Sequence, residues 1–176
     1  MRGLLVLIVS LAVSACAPAL NSQLVRSPLT VADDPDHPEL ALLEVRLAEH
    51  FGKFGATPPT TCAGFTPGTS IDRRKLGALS AEDEQRLMLR FPDLAPFDRC
   101  KPIDNGPGTK FFVDSITGEP AAMFDVHQLE CSSPTRCRAY AGYTLDQQRN
   151  GWRFYEARFA DGKWRVRKQD LDIIVT

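Results

Sequence analysis

Apolar residues spaced three and four apart predict a helix in the first third of the chain. An aspartate cap with a proline in the first turn suits a helix start, so this helix begins at Asp34-Pro35 or Asp36-His37-Pro38. It ends at Gly52 or Gly55. The stripe is expected to pack on this protein's own sheet. It consists of Leu40, Leu43, Leu47, Phe51 and Phe54.

A second, shorter helix follows a stretch without periodicity. Residues 55–70 are rich in Gly, Pro, Ser and Thr, which favour turns, so they predict a loop. Ser80-Ala81-Glu82-Asp83 has the pattern of a capping box, in which the first and last side chains satisfy free N–H groups at a helix start. Pro92 ends this helix, and the prolines that follow predict irregular chain as far as Gly108.

Beyond Gly108 the apolar and polar residues alternate, as in strands with one buried face. Asn150-Gly151 and Asp161-Gly162 are strong hairpin signals, because both central residues of a type I′ turn need positive φ. Short connections make neighbouring strands antiparallel. The predicted strands are Lys110–Thr117, Ala121–Cys131, Arg136–Leu145, Trp152–Ala160 and Lys163–Lys168, with a sixth at Asp172–Val175.

This order of elements predicts an α+β fold, with two N-terminal helices packed on a C-terminal antiparallel meander sheet of five or six strands. The closing hairpin, from Gly151-Trp152 to Asp161-Gly162-Lys163-Trp164-Arg165-Val166, resembles the last hairpin of many small bacterial lipoprotein domains. It is also similar to the end of the nuclear-transport-factor-like fold, whose curved sheet wraps helices around a pocket. That family includes binding proteins, scaffolds and enzymes, so the resemblance implies a fold and no particular function.

The first residues have the pattern of an export signal. Met1-Arg2 supplies a positive start, and residues 3–13 are apolar except for Ser10. This run is too short for a membrane-spanning helix and fits the core of a secretory signal. The residues Val13-Ser14-Ala15-Cys16 resemble the lipobox of bacterial lipoprotein precursors. The resemblance implies cleavage before Cys16 and diacylation of its thiol, which gives a stable membrane anchor.

An ordinary signal peptide cut near Ala17, with Cys16 incidental, is the alternative. The lipobox implies a lipid-anchored protein of the cell envelope that faces the periplasm. Ala17 is not the aspartate that retains such proteins at the inner membrane of enteric bacteria, so the outer membrane is favoured. The expected organisation is a signal peptide in residues 1–15, a lipidated cysteine and tether in residues 16–34, and one domain in residues 35–176.

The overall charge is almost balanced. The chain has 21 Lys and Arg against 22 Asp and Glu, a formal net charge of -1. This balance, together with an export signal, argues against nucleic acid as a partner. The sequence lacks a P-loop, a dinucleotide fingerprint and the HExxH and GxSxG motifs, and it predicts no cofactor and no metal.

Four cysteines follow Cys16, and an even number in an exported chain predicts disulfides with three possible connectivities. We favour Cys62–Cys100 and Cys131–Cys137, because the second pair closes a tight loop between two strand-like runs. A metal site formed by Cys131, Cys137 and His127 is the alternative. Zinc ligands typically come as C-x₂₋₄-C pairs, however, and five residues separate these two cysteines.

The histidines are the natural candidates for a general base. His37 is expected to be exposed, and His50 lies near the end of the first helix, where a charged imidazole suits the helix dipole. Asp125 and His127 share one face of a strand, and a carboxylate that orients a histidine is half of a general-base arrangement. Asp114 on the neighbouring strand is a further carboxylate. The nearest serines in sequence are Ser115, Ser132 and Ser133. A solvated polar sheet face is the simpler interpretation of these residues.

Charge is unevenly distributed along the chain. Residues 31–50 hold six acidic residues and one arginine, whereas residues 136–168 hold nine basic residues and three acidic ones. A basic sheet face on an envelope protein suits an anionic polymer or an acidic protein. Two simpler explanations stay open: outward basic residues protect edge strands from aggregation, or the basic sheet packs beside the acidic helix. The residues that we single out for the face are Arg138, Arg153, Lys163, Arg165 and Arg167.

The expected function is that of a membrane-anchored envelope lipoprotein that acts as a non-enzymatic binding or structural module through this basic face. Its expected partners are the membrane, through the anchor, and an envelope protein or an anionic envelope polymer. An inhibitor of a foreign lysozyme or protease, presenting Arg136 in the Cys131–Cys137 loop, is the alternative. A small hydrolase that uses Asp125 and His127 is a third hypothesis.

Overall fold

The computed structural model describes residues 31–54, 59–69, 75–104, 110–145 and 149–169. Two helices and a mostly antiparallel sheet of seven strands lie in these residues, which confirms the predicted α+β class. The predicted strand Asp172–Val175 and the predicted lipidation site Cys16 lie outside them. The elements are α1 (Pro38–Phe54), β1 (Thr61–Phe65), α2 (Ala81–Arg90), β2 (Cys100–Asp104), β3 (Lys110–Asp114), β4 (Pro120–Ser133), β5 (Arg136–Thr144), β6 (Asn150–Ala160) and β7 (Lys163–Gln169).

Both helices begin close to where the sequence predicts. The Ser80 hydroxyl accepts the backbone N–H of Asp83 at 3.1 Å and donates to its carboxylate at 2.6 Å, so the capping interaction is present. In α1 the side chains of Leu40, Leu43 and Leu47 are fully buried. They share one core cluster with apolar residues of the sheet, as amphipathic spacing requires.

The strands form a meander in the order β2-β3-β4-β5-β6-β7, and β1 pairs with β4 in parallel. The loop predicted for residues 55–70 is therefore wrong for Thr61–Phe65. This segment is short and rich in turn residues, and its hydrogen bonds come from a strand some 60 positions later in the chain. The irregular chain predicted around Pro102 is also wrong. That proline lies in β2, an edge strand, where a missing N–H is tolerated.

Two hairpin predictions had different outcomes. Asp161 and Gly162 have φ values of 54° and 75°, so the predicted tight turn between β6 and β7 is confirmed. Asn150 and Gly151 were predicted as a turn but are paired residues of β6, opposite Thr144 and Tyr143. The turn is wrong because Asn150 and Gly151 both take part in the pairing of β5 with β6.

The sheet has two unlike faces. The helix face carries α1 and the main core, which includes Phe124 and Val126 of β4 and Ala139, Ala141 and Tyr155 of β5 and β6. We call the other side of β5, β6 and β7 the open face. β4 is buried on both faces from residue 121 to 126 and becomes exposed from residue 130 onwards. The accessible part of the open face therefore lies toward the β4–β5 and β6–β7 turns.

A bulge in β4 sets the register of the exposed part. His127 pairs with Tyr140 but Glu130 pairs with Arg138, so two residues of β4 face one residue of β5. Gln128 adopts a φ of 53° at this point. The extra residue brings Cys131 opposite Cys137, which permits the disulfide between them.

The structure contains the two disulfides favoured by the sequence. Cys62–Cys100 links β1 to β2 across 38 positions, and Cys131–Cys137 links neighbouring residues of β4 and β5. The folded region also begins earlier than the predicted end of the tether at residue 34. Val31 is 2 % exposed, and the Trp164 indole N–H donates to the Asp34 carbonyl at 2.7 Å, so these residues belong to the packed domain.

Candidate functional site

Strand register arranges the open face into rows that run across β5, β6 and β7. One row is formed by Arg136, Arg158 and Arg165, which are direct cross-strand partners, and we call it the arginine row. The next row alternates in charge and consists of Glu130, Arg138, Glu156 and Arg167. We call it the charged row. A third row, the ring row, consists of His127, Tyr140 and Phe154.

The arginine row is electrostatically unfavourable on its own, because like charges directly opposite each other destabilise a sheet. Glu156 offsets this repulsion from the neighbouring row. Its Oε1 accepts the Nε–H of Arg136 at 2.6 Å and that of Arg158 at 2.8 Å. The hydrogen bond from Arg158 outweighs the opposing effect of burial, and with Arg136 it holds the pKa of Glu156 below its usual value. A carboxylate is thus already bound between two arginines of this face.

Two depressions flank Glu156. The first has a volume of about 480 Å³, and the second, toward the β6–β7 turn, has a volume of about 350 Å³. Both volumes lie in the range of small-ligand sites. The first is lined by side chains that include Arg136, Arg138, Phe154 and Gln169, and the second by Arg158, Arg165 and Arg167. Glu130 and Glu156 also line the first depression, and Glu156 and Asp161 also line the second, so arginines outnumber carboxylates only in the second depression.

Half-buried rings continue the open face beyond the charged rows. The ring centroids of His127 and Tyr140 are 5.5 Å apart, and those of Tyr140 and Phe154 are 5.0 Å apart. Next to them the indole N–H of Trp152 donates to Asp125 at 3.3 Å, across the intervening strand β5. The residue of β5 between them is Gly142, where a Cβ would lie 2.7 Å from the Trp152 ring. The missing side chain is what lets the indole reach β4.

The structure places four of the five predicted basic residues on the open face. Arg138, Lys163, Arg165 and Arg167 share it. Arg153 does not, and its assignment to this face was wrong: it pairs with Ala141 of the buried core, so its side chain belongs to the helix face. The reason is strand parity, because residue 153 and residue 158 are an odd number of positions apart on one regular strand.

Sequence reasoning missed three important members of the site. Arg136, Arg158 and Glu156 form its centre, although none of them was singled out for the face. For Arg158, the position of the Asp161-Gly162 turn in the sequence could have predicted the sheet face. A two-residue hairpin pairs residues symmetrically about the turn, which places Arg158 opposite Arg165.

The simpler explanations of the basic face fit the structure only in part. Edge protection accounts for basic residues on β7, but Arg136 and Arg158 lie on β5 and β6, which have neighbours on both sides. The acidic N-terminal segment also has other partners. Glu44 pairs with Arg90 at 3.0 Å and Asp34 with Arg86 at 2.8 Å, and both arginines belong to α2. These carboxylates lie on the side of the sheet opposite the open face.

The geometry gives little support to a hydrolase at Asp125 and His127. Asp125 is fully buried and accepts the Trp152 N–H, while the His127 ring stacks on Tyr140. Ser132 lies five residues further along β4, which corresponds to about 17 Å. Asp114 is also distant from Asp125. Its backbone N–H donates to the carbonyl of Glu119, which precedes the first residue of β4. Asp114 instead accepts hydrogen bonds from Arg99 and Thr60.

The Cys131–Cys137 segment is a hairpin end and not a projecting loop, since β4 runs to Ser133 and β5 starts at Arg136. The Arg136 side chain, expected to be presented to a foreign hydrolase, is hydrogen-bonded to Glu156.

In the described residues no group of three or more metal-ligating side chains lies together, and both thiols of the alternative metal site are in the disulfide. Across the same residues, no helix has the length and apolar character needed to cross a bilayer.

Two other histidines have structural roles. His37 is partly exposed, as expected. Burial lowers its pKa, but the hydrogen bond to Glu39 at 2.8 Å and the nearby carboxylates of Asp83 and Asp34 outweigh this and raise the pKa overall. His50 was expected to carry a charge near the helix end. That expectation was wrong, because burial, followed by the positive charges of Arg46 and Lys53, lowers its pKa to about 4.

Comparisons of this chain with family models, curated proteins and solved structures found no match.

Proposed function

We propose that this chain is a lipid-anchored protein of the bacterial cell envelope that binds an anionic partner through the open face of its sheet. The protein acts as a binding module and not as an enzyme. The anchor is the acylated Cys16 behind a signal peptide of residues 1–15, and the protein faces the periplasm, with the outer membrane favoured. In this account the two helices pack on the sheet in one domain and support the open face from behind.

The observation that carries the proposal is the arginine row. Three arginines lie side by side on neighbouring strands, and such an array costs stability unless an anion compensates it. The chain supplies one carboxylate, Glu156, for two of them, and Asp161 pairs with the third, Arg165. Among the described residues, Arg167 and Lys163 on the same face have no carboxylate partner. A net positive surface of this kind attracts an anionic partner and determines its orientation.

The anchor is tested by the intact mass of the protein extracted from its native membranes. We expect a chain that starts at Cys16 and carries a lipid-sized mass increment, with no free thiol until a reductant is added. A soluble, unmodified chain with a processed N-terminus near Ala17 would remove the anchor from the proposal.

The binding surface is tested by chemical crosslinking in native envelopes. Replacing Arg158, Arg165 and Arg167 by Glu should abolish the crosslinked product of the wild-type protein, because the face then repels an anionic partner. The matched control is Arg153→Glu on the helix face, which should leave the product unchanged. Equal crosslinking by the triple variant and the wild type would show that the partner does not bind this face.

A further inference from the structure

We infer that the partner bound by the open face is an acidic polysaccharide, a chain of sugar units that carry carboxylates. This inference rests on the proposed function and specifies its ligand class. Four features of the described residues support it: the free donors of the arginine row, the mixed charges beside it, the neighbouring rings and the spacing of the arginines within the row.

The arginine row is arranged to bind carboxylates. Arg136 and Arg158 each use their Nε–H to hold one oxygen of Glu156. Within the described residues, the Nη groups of these two arginines have no hydrogen-bond partner. A guanidinium has four N–H donors on its Nη atoms, and they suit the paired oxygens of a carboxylate. Glu156 therefore orients two guanidinium groups while leaving their paired donors available.

The charged row distinguishes a sugar from a plain anion. An ionised phosphate group only accepts hydrogen bonds, whereas a sugar hydroxyl both donates and accepts them. Glu130, Glu156 and Gln169 line the first depression together with Arg136 and Arg138. Acceptors and donors therefore alternate over a short distance. This mixture matches a ligand that has hydroxyl groups as well as carboxylates.

The ring row provides an apolar surface beside these polar groups. Phe154 lines the first depression and contacts the ring of Tyr140, which in turn stacks on His127. The C–H faces of sugar rings pack on aromatic rings, and half-buried aromatic side chains supply rigid contact area at low entropic cost. A chain of phosphates without sugars would have no use for this surface.

The spacing of the arginines fits a polymer. The row crosses three neighbouring strands, which lie about 4.8 Å apart. One sugar unit lengthens a glycan chain by about the same distance, so carboxylates on successive units can meet the neighbouring Arg136 and Arg158. The third arginine, Arg165, is already paired with Asp161. The two depressions, of about 480 and 350 Å³, lie on either side of Glu156 and together accommodate a ligand longer than one sugar.

The test is calorimetric titration of the detergent-solubilised full-length protein with oligogalacturonate, a carboxylated sugar chain. We expect binding of this probe and none of a neutral dextran oligomer. Arg158→Gln should weaken binding about tenfold, as expected for the loss of a charge-assisted hydrogen bond. Phe154→Ala should weaken it about fivefold through the loss of stacking. The control Arg153→Gln removes the same charge from the other face and should change binding less than twofold.

Glu156→Gln is the most discriminating variant, because it makes the face more positive. Simple attraction of polyanions predicts tighter binding by this variant. The orienting role of Glu156 predicts binding that is weaker by about tenfold. Tighter binding by Glu156→Gln, or an equal loss for Arg153→Gln and Arg158→Gln, would overturn a specific glycan site.

Other ligand classes are separated by parallel titrations with phosphatidylglycerol vesicles and with a polyglutamate peptide. Stronger binding of either probe than of oligogalacturonate, with the same dependence on Arg158, would replace the polysaccharide by a lipid surface or an acidic protein. Absence of glycan binding while the triple charge reversal still abolishes crosslinking would refute the ligand class alone. Absence of both effects would refute the proposed function as well.

Discussion

His50 should make the protein sensitive to mild acid, and the effect can be worked out from its surroundings. The residue is 7 % exposed, and its ring contacts the rings of Phe51 and Phe124. Thr61 donates its hydroxyl proton to the Pro59 carbonyl at 2.7 Å, so its oxygen accepts the Nε2–H of His50 at 3.0 Å. The buried ring is therefore bonded to Thr61 through its Nε2–H.

Protonation of this ring opposes folding. Burial, with Arg46 and Lys53, lowers the pKa of His50 from 6.5 to about 4 in the folded state. Between these values the unfolded chain binds the proton and the folded chain does not, so stability falls as the pH falls from about 6.5 to about 4. The shift corresponds to a loss of about 3 kcal/mol.

The variant His50→Gln removes this titration while keeping a hydrogen-bonding side chain. We expect it to be less stable than the wild type at pH 7.5 by about 1–2 kcal/mol, because it loses ring packing. From pH 7.5 to pH 4 the wild type should then lose about 3 kcal/mol more than the variant. Urea unfolding followed by tryptophan fluorescence, at constant ionic strength, measures both quantities.

His37→Gln is the control, because its linkage has the opposite sign. The raised pKa of His37 gives stability that is present below pH 6.5 and lost as the pH rises through the folded-state pKa. Removing His37 should therefore reduce stability most at acidic pH. Parallel stability curves for the wild type and His50→Gln between pH 7.5 and pH 4 would refute the assignment of a neutral, buried His50.

Three further predictions concern the scaffold of the site. Gly142→Ala would place a Cβ 2.2 Å from the Gly151 carbonyl and should cost about 1–3 kcal/mol in urea unfolding, whereas Gly151→Ala meets open space; equal effects would contradict the close approach. Replacing Cys62 and Cys100 by Ala should lower the stability of the fold by about 4 kcal/mol through chain entropy, against about 2 kcal/mol for Cys131 and Cys137. Thermal melts in which loss of the second disulfide destabilises more than loss of the first would contradict this. Hydrogen bonds from Arg99 and Thr60 hold the pKa of Asp114 far below its usual value, so the stability that this carboxylate contributes is present above about pH 4 and lost on acidification. Asp114→Asn should therefore lower the free energy of unfolding at pH 7 and approach the wild-type value in acid, and a stability difference that stays constant down to about pH 2 would refute the pairing.

The part of the fold that depends on local signals was predictable. The capping serine of α2 and the Asp161-Gly162 turn act on residues a few positions away, and both are present. Strand β1 was missed because its partner strand is distant in sequence and its own residues show no pattern typical of a strand. Asn150-Gly151 was misinterpreted because an Asn-Gly step is compatible with a paired strand as well as with a turn.

The candidate site was predictable as a charged region but not as an arrangement. Counting residues reveals the excess of basic over acidic side chains in residues 136–168. The sheet face on which each side chain lies, however, depends on its position along the strand and on the register between strands. Counting back from the Asp161-Gly162 turn separates Arg158 from Arg153, and that information is in the sequence. The bulge at Gln128, which aligns Glu130 with Arg138, has no sequence signal and depends on packing in the folded sheet.

Binding of the partner to the open face can be examined by site-specific photocrosslinking in living cells. A photoreactive amino acid would replace Phe154, in the first depression, or Leu89, which is 69 % exposed on α2. We expect an adduct from position 154, none from position 89, and loss of the adduct when Arg158 is replaced by Glu. An adduct from position 89 and none from position 154 would contradict binding to the open face.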